Sequence, residues 1–322
     1  METPPDPSLR ELSVFVVGYP RSGTTLLRRL LTAHPDLCIL PETLALRRVS
    51  AAWRRGLRSE GDIARAFAAL PERDRGVFDR AAFAAAAGPR MPMDRAAALS
   101  LLYATAPMAR DRPSARLGHK FPADTPAVPI LARWYPRARF VHIHRHPAEA
   151  VGSLFAHGLQ GRAKRPEIAA WHWRHYMRLL ARAEAGPAAG RLHVLSLPAL
   201  LAAPEAELTR LCVAIGLDPG GVAAMLADDR PDHATERSEA GRPHMLRSRR
   251  ALGEAGEAAP DPLGPGARRR IATLCAPEMR RLGYRADDPG PAVERMALAG
   301  LSLGLGAAFA ALRARRRLRG EV

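Results

Sequence analysis

The sequence contains little cysteine and almost no lysine. Only three cysteines occur among 322 residues, and they stand far apart, which excludes a disulfide framework and the paired ligands of a zinc site. No cluster of aspartate or histidine shows metal-ligand spacing, so we expect no metal. Lysine occurs only at Lys120 and Lys164, although lysine and arginine together number 49. An ammonium differs from a guanidinium in reach and chemistry, so each lysine is a candidate for a special role.

The sequence also shows no secretory signal. Residues 1–12 are rich in proline and contain no long apolar run, unlike a signal peptide or an N-terminal membrane anchor. Together with the odd number of cysteines, this predicts reduced thiols and a cytoplasmic protein.

The bulk composition is typical of a soluble globular protein, with 47% hydrophobic and 25% charged residues. The length suits one large α/β domain or two small ones. The net charge of +17 favours anionic partners. The positive residues are nevertheless scattered along the whole chain, so we expect no nucleic-acid partner.

Residues 14–27 read as a buried strand, a glycine-bearing loop and a helix that begins on hydroxyl residues. Gly18 and Gly23 have the spacing of the two glycines in the phosphate-binding loop of nucleotide-hydrolysing enzymes. Thr24 replaces the lysine of that motif, and Arg21 brings a positive charge into the loop itself. Backbone N–H groups and the helix dipole favour an anion here. The loop predicts a phosphate-like ligand but argues against ordinary ATP or GTP hydrolysis.

Apolar strands alternate with helices along the chain, which predicts an α/β fold with a P-loop-like parallel sheet flanked by helices. The predicted strands are residues 13–18, 116–119, 139–144 and 192–195. Ligands of such sheets bind beyond the carboxyl ends of the strands. The glycine loop, Lys120 and the residues after His144 are therefore expected to converge.

The same reading divides the chain into segments. Residues 1–12 are predicted to be a flexible tail, and residues 13–288 form the main domain. Within this domain, residues 44–110 read as an insertion of two to four helices, a natural place for acceptor recognition. Residues 228–268 are polar and rich in glycine and proline, which predicts a long loop covering the site. Residues 289–322 form a separate C-terminal segment.

The C-terminal segment combines an apolar helix with a basic tail. Residues 296–312 contain no charge, and residues 313–319 are mostly arginine. The apolar part is at the lower length limit for a membrane-spanning helix, and adjacent arginines favour anionic lipid. We therefore consider contact of 296–319 with a membrane surface, and alternatively packing on the domain or on a second subunit in a homodimer.

The glycine loop resembles the 5′-phosphosulfate loop of sulfotransferases, which use 3′-phosphoadenosine 5′-phosphosulfate (PAPS). The resemblance continues at residues 34–36 (His-Pro-Asp) and 41–43 (Pro-Glu-Thr). These motifs are similar to those of the glutamate-base type, which includes tyrosylprotein sulfotransferases and bacterial relatives. The resemblance covers residues 13–285 and implies PAPS as co-substrate.

The resemblance also implies which residues bind PAPS. The 5′-phosphosulfate would be held by the residues of the loop and the first turn of its helix: Arg21, Ser22, Gly23, Thr24 and Thr25. Arg145, which leaves a strand, and Ser153, eight residues later, resemble the family's 3′-phosphate motif. Arg242 corresponds to a basic residue in the loop that closes over the nucleotide.

Two residues are assigned to catalysis by the resemblance. Glu42 stands where the related enzymes have a catalytic glutamate, and His119 is the rival candidate for the base. Lys120 resembles the lysine that faces the bridging oxygen of the phosphosulfate and would stabilise the leaving bisphosphate. Lys164 reads as a solvated surface residue.

The leading hypothesis is a sulfotransferase that moves a sulfuryl group from PAPS to an acceptor hydroxyl by in-line displacement. A P-loop nucleotide kinase or NTPase is an alternative from another enzyme class, and a non-catalytic nucleotide- or sulfated-ligand-binding protein is a third. Glu42 and Lys120 distinguish the third possibility, because a binding module needs neither a base nor a leaving-group cation. The acceptor is left open as a small molecule, lipid, glycan or peptide.

Overall fold

Five strands form one sheet at the centre of the molecule in this computed structural model. They are β1 (Leu12–Val17), β2 (Leu37–Ile39), β3 (Arg116–Lys120), β4 (Arg139–His144) and β5 (Leu192–Ser196). Their order across the sheet is β2-β3-β1-β4-β5, and all neighbouring pairs are parallel. The predicted α/β fold with a parallel sheet is confirmed.

The structure describes residues 9–53, 55–159, 161, 163–227, 262–285 and 290–318. The α-helices, in chain order, are α1 (Thr24–Ala33), α2 (Ala45–Ala52), α3 (Glu60–Ala69), α4 (Glu72–Arg75), α5 (Arg80–Ala87), α6 (Arg95–Ala104), α7 (Pro107–Arg110), α8 (Val128–Trp134), α9 (Pro147–Ala156), α10 (Pro166–Glu184), α11 (Leu197–Ala202), α12 (Pro204–Ile215), α13 (Val222–Ala227), α14 (Pro265–Arg281) and α15 (Ala292–Leu318). Short 3-10 helices span Gly88–Arg90, Pro122–Ala127 and Pro219–Gly221.

Both faces of the sheet are covered, which explains why its strands are apolar at successive positions. Val14 and Val16 belong to a core shared with helices α1, α11, α12 and α13. Phe15 and Val17 point the other way, because side chains alternate along a strand, into a larger core with helices α8, α9, α10 and α14. Phe15 stacks on Phe140 of the neighbouring strand at 5.2 Å between ring centroids.

The segment 44–110 contains six helices, α2 to α7, rather than two to four. The extra ones are short, since α4 and α7 have four residues each, too few to show a helical period in the sequence. Three of the longer helices begin at a side chain that accepts a hydrogen bond from the first turn, as preferred at helix N-termini. These capping residues are Ser59, Asp79 and Asp94.

The N-terminal tail is shorter than predicted. Strand β1 already begins at Leu12, and the guanidinium of Arg10 donates hydrogen bonds to backbone carbonyls between α6 and β3, including those of Ala109 and Ala115. These bonds fix residues 9–12 on the domain, so the prediction of a flexible tail through residue 12 was wrong at its C-terminal end.

The predicted covering loop at 228–268 was also too long, because α14 begins at Pro265. Pro265 stands in the first turn of the helix, where its missing N–H carries no cost. Residues 228–261, which make up most of that loop, lie outside the described residues, and so does Arg242.

Two histidines of β4 point to the same side of the sheet and are held neutral. His142 is fully buried, and burial lowers its pKa well below the usual value, with His144 and Arg281 adding to the effect. The Nδ1 atom of His144 lies 2.8 Å from the hydroxyl of Tyr284. Burial, with a smaller contribution from Arg281, lowers the pKa of His144 from 6.5 to about 4.

His144 should therefore make the protein less stable in mild acid. Between pH 6.5 and about 4 the unfolded chain binds this proton and the folded protein does not, so the free energy of unfolding rises with pH. We expect a loss of about 2 kcal/mol from this residue between about pH 7.5 and about pH 5. Urea unfolding at both pH values should show a smaller difference in His144→Gln than in the unmodified protein, and equal differences would contradict the prediction.

Candidate active site

The glycine loop follows the carboxyl end of β1 and leads directly into α1. Arg21 has a left-handed backbone with φ of 69°, and Gly23 has φ of 91°. A Cβ atom on Gly18 would lie 2.4 Å from the carbonyl oxygen of Ile143 on β4, and one on Gly23 would lie 2.7 Å from the side chain of Leu197. Glycine at both positions is thus required by close packing, which explains their spacing in the sequence.

The loop offers donors to an anion. The Ser22 hydroxyl is fully buried and has no hydrogen-bond partner among the residues that the structure describes. The N-cap residue of α1 is Gly23, which has no side chain to cap the first N–H groups of the helix. A buried hydroxyl without a partner is costly, and a phosphate or sulfate at the helix N-terminus would satisfy both groups. These residues therefore fit the 5′-phosphosulfate group.

Thr125 fixes this loop, a role that the sequence did not reveal. Its hydroxyl oxygen lies 2.9 Å from both the backbone nitrogen and the carbonyl oxygen of Gly18. Thr125 belongs to the 3-10 helix Pro122–Ala127, which comes directly after β3. The contact ties the segment that follows Lys120 to the start of the loop.

Lys120 contacts both the first turn of α1 and the segment that carries Glu42. Its ammonium nitrogen lies 2.6 Å from Glu42 Oε2 and 3.3 Å from Thr25 Oγ1. The exposed fraction is 0% for the Lys120 side chain and 11% for that of Glu42. An ion pair so well shielded from water interacts strongly, and removing one partner typically costs about 3–5 kcal/mol. The predicted base, leaving-group cation and loop hydroxyl are therefore in direct contact.

His119 points to the opposite face of β3 from Lys120. Its Nε2 atom lies 3.0 Å from Asp124 Oδ2, and its Nδ1 atom lies 2.8 Å from the hydroxyl of Tyr103. Both ring nitrogens of His119 are thus engaged, and the residue is buried. This geometry favours Glu42 over His119 as the base.

Tyr103 is a second residue that sequence reasoning missed. Its hydroxyl also lies close to the side chain of Thr43, which is adjacent to Glu42, while His119 is adjacent to Lys120. Tyr103 thereby links the two chain segments that carry the central ion pair. Only its position as a lone aromatic in the alanine-rich sequence of α6 could have drawn attention to it.

Two arginines and a serine lie beyond the carboxyl ends of β1 and β4. Arg21 Nε donates to Ser153 Oγ at 3.0 Å, and Arg145 Nε donates to Glu149 Oε2 at 2.7 Å. Burial lowers the pKa of Arg21, and the nearby charge of Arg145 lowers it further. Guanidinium groups are strong hydrogen-bond donors to phosphate and sulfate oxygens. The sequence assigned Arg21 and Ser153 to different ends of the nucleotide, whereas the structure joins them by a hydrogen bond.

The described residues contain no group of three or more histidine, cysteine or carboxylate side chains that could hold a metal ion. The ion pairs and hydrogen bonds of the site instead arrange two carboxylates, one ammonium, two guanidiniums and several hydroxyls. This set can bind a nucleotide with two separated anionic groups and can accept a proton next to one of them.

Comparison with known proteins shows related sequences. The model of the family described as "Sulfotransferase family" matches residues 13–219, more than half of the chain. Protein-tyrosine sulfotransferase 1 of Mus musculus is 31% identical over 143 residues, which cover 44% of this chain and 34% of that protein. The human protein of the same name is 30% identical over the same length. The chain thus spans about a third of the length of these curated relatives.

Solved structures also resemble this one at low sequence identity. The sulfotransferase domain from the curacin biosynthetic pathway has a TM-score of 0.48 and 17% identity, over 85% of this chain and 98% of that domain. Sulfotransferase STF9 from Mycobacterium avium has a TM-score of 0.46 and 18% identity, over 88% of this chain and 79% of that protein. On the strength of the family match, the chain belongs to the sulfotransferase family.

Proposed function

We propose that this protein transfers a sulfuryl group from PAPS to an acceptor hydroxyl, with Glu42 as the base and Lys120 as the leaving-group cation. The observation that carries the proposal is the position of Lys120, which contacts both Glu42 and Thr25 at the start of α1. A cation between a carboxylate and an anion-binding loop suits a reaction in which a proton leaves on one side and negative charge develops on the other.

The described residues supply the groups that the transfer needs. The acceptor oxygen attacks sulfur, a new S–O bond forms, and the S–O bond to the 5′-phosphate breaks in line with it. The acceptor proton passes to the Glu42 carboxylate. The departing adenosine 3′,5′-bisphosphate keeps the electron pair of the broken bond, and the Lys120 ammonium stabilises that charge. Most of the rate enhancement then comes from positioning and electrostatics, as in phosphoryl transfer.

Binding of PAPS would use the two anion sites described above. PAPS supplies the activated sulfuryl group, and the chain supplies the buried Ser22 hydroxyl and the uncapped start of α1 for its 5′ end. Arg145 and Ser153 would bind the 3′-phosphate, and Arg21 lies between the two regions through its bond to Ser153. Arg242 remains a prediction for the covering segment.

The two other functions fit the site less well. A kinase or NTPase of the P-loop class needs a lysine in its loop, but Thr24 stands there and is buried. A purely binding protein has no use for a nearly buried carboxylate–ammonium pair, which is costly to assemble away from water. The alternatives predict different outcomes for the experiments below.

The acceptor is proposed only as a hydroxyl-bearing molecule, which includes small molecules, lipids, glycans and peptides. Helix α2 begins three residues after Glu42, so the insertion 44–110 lies next to the base. We propose that this insertion shapes the acceptor site.

Activity can be tested by incubating the full chain with 35S-labelled PAPS and acceptors of each class. We expect label in an acceptor and release of adenosine 3′,5′-bisphosphate. Tight binding of the bisphosphate with no transfer to any acceptor would instead favour a binding protein.

Nucleotide binding gives a more direct prediction. Arg145→Ala removes a charge-assisted contact to the 3′-phosphate and should weaken binding of adenosine 3′,5′-bisphosphate about 30- to 100-fold. Ser153→Ala should weaken it about tenfold. Isothermal titration calorimetry measures both effects, with Arg182→Ala on the exposed side of α10 as the matched control. Unchanged affinity in Arg145→Ala would remove this residue from the nucleotide site.

A further inference from the structure

The C-terminal helix α15 is much more exposed than its apolar composition predicts. It has 27 residues, and residues Ala292–Ala311 are long and apolar enough to cross a membrane by length and composition. Apolar helices of soluble proteins are mostly buried, yet only 6% of the apolar window of α15 is buried. The helix therefore has an apolar surface that the rest of the described chain leaves uncovered.

One side of α15 is attached to the domain. Leu298 is buried, and Ser302 accepts a hydrogen bond from Arg174 of α10 at 3.2 Å. Phe309 packs on the same helix, with 4.9 Å between its ring centroid and that of His175. These contacts, spaced four and seven residues apart, fix one face of α15 along the domain.

The other side of α15 is apolar and exposed. Val293, Met296 and Leu303 are 79%, 75% and 77% exposed. A Cβ atom on Gly300 or Gly304 would meet nothing within 4 Å. Between residues 296 and 312 the sequence contains no charged side chain. Helices that face water normally carry charges on that side, so this surface is unsuited to bulk water.

Positive charge follows this apolar surface in the sequence. Residues 313–319 contain five arginines and no acidic residue. Near its start, Arg269 of α14 pairs with Glu294. An apolar helix face followed by an arginine cluster is the pattern of a helix that lies in the interface of an anionic membrane.

We propose that α15 docks the protein on the surface of an anionic lipid bilayer. The helix lies in the plane of the membrane, with Val293, Met296 and Leu303 in the region between head groups and acyl chains. The arginine-rich end meets the negative surface. Because the helix stays parallel to the surface, its contacts with α10 through Ser302 and Phe309 are kept, whereas crossing the bilayer would break them.

A bilayer suits this surface better than a second copy of the chain. A dimer along α15 would cover the apolar face, but α15 itself carries a single acidic residue, Glu294, against its cluster of arginines. An anionic bilayer provides both an apolar layer and negative head groups. Charge complementarity therefore selects the lipid surface.

The proposal is tested by co-sedimentation of the full chain with phosphatidylcholine vesicles, with or without phosphatidylglycerol. We expect binding to the anionic vesicles and little to the neutral ones, with release at high salt. Leu303→Glu should lower the partition coefficient at least about tenfold, because it places a charge on the apolar face. Replacing Arg315, Arg316 and Arg317 by Ala should lower it about fivefold for each arginine.

The matched control is Val213→Glu, which changes another exposed apolar residue, 65% exposed on α12, and should not change vesicle binding. Equal binding of Leu303→Glu and the unmodified protein would overturn the proposal. So would a dimer in sedimentation velocity that Leu303→Glu dissociates while vesicles bind neither form, since a second copy would then cover the face. Calorimetry with adenosine 3′,5′-bisphosphate reports on the proposed enzyme function separately, because α15 contains none of the nucleotide-site residues.

Discussion

Replacing Lys120 by methionine should lower the rate of sulfuryl transfer about 100- to 1000-fold. Methionine keeps much of the apolar volume of the lysine side chain but cannot stabilise the charge that develops on the leaving oxygen. Removal of one preorganised electrostatic group at such a position has effects of about this size. Affinity for adenosine 3′,5′-bisphosphate should fall far less than the rate. The measurement is the single-turnover rate with labelled PAPS at saturating acceptor.

Lys164→Met is a natural control, because it is the only other lysine of the chain and is exposed. It should leave the rate within about twofold, as expected for a surface substitution. Retention of more than a tenth of the rate in Lys120→Met would contradict the proposed role.

Loss of Lys120 also leaves the Glu42 carboxylate without its ammonium partner in a site that is mostly shielded from water. The single variant should therefore unfold at lower urea concentration. The double variant Lys120→Met with Glu42→Gln removes both charges and should recover part of that stability but none of the activity. This cycle separates a folding defect from a catalytic one.

Glu42→Gln should lower the transfer rate about 100- to 10,000-fold, the usual effect of losing a general base. Glutamine has nearly the same shape, but its amide cannot take the proton of the acceptor hydroxyl. Binding of adenosine 3′,5′-bisphosphate should be nearly unchanged, because the substitution alters none of the residues assigned to the nucleotide. Single-turnover transfer and calorimetry on the same preparation measure the two effects.

The control for this change is Glu205→Gln, since Glu205 is exposed on α12. A second comparison is His119→Gln, which tests the rival base. Turnover that survives in Glu42→Gln but disappears in folded His119→Gln would assign the base to His119 instead.

The parts of the fold that the sequence predicted are those with strong local signals. The sequence predicts β1 and β4 from their apolar runs, because both strands are buried. It predicts the loop from the spacing of Gly18 and Gly23, because close backbone packing requires glycine there. The helices of 44–110 were undercounted because α4 and α7 are each a single turn. Their positions depend on tertiary contacts and not on local preference, since Asp74 of α4 accepts a hydrogen bond from the backbone N–H of Leu44 and Ala109 of α7 is buried in the core.

The contacts within the site could not be read from the sequence, because they depend on strand order. Glu42 comes three residues after β2, and Lys120 ends β3. The two strands are neighbours in the sheet, which brings a pair separated by 78 residues to 2.6 Å. In the same way, the pairing of β1 with β4 brings Arg21 to Ser153. The resemblance named these residues, but only the strand order shows which of them touch.

The contrast between the two lysines has a practical consequence for labelling. The Lys120 side chain is 0% exposed and bound to Glu42, whereas Lys164 is exposed. Amine-reactive reagents therefore meet a single accessible ε-amino group, and a fluorophore can be attached at Lys164 without mutagenesis. Acylation at Lys120 then becomes a chemical reporter of any opening that separates it from Glu42.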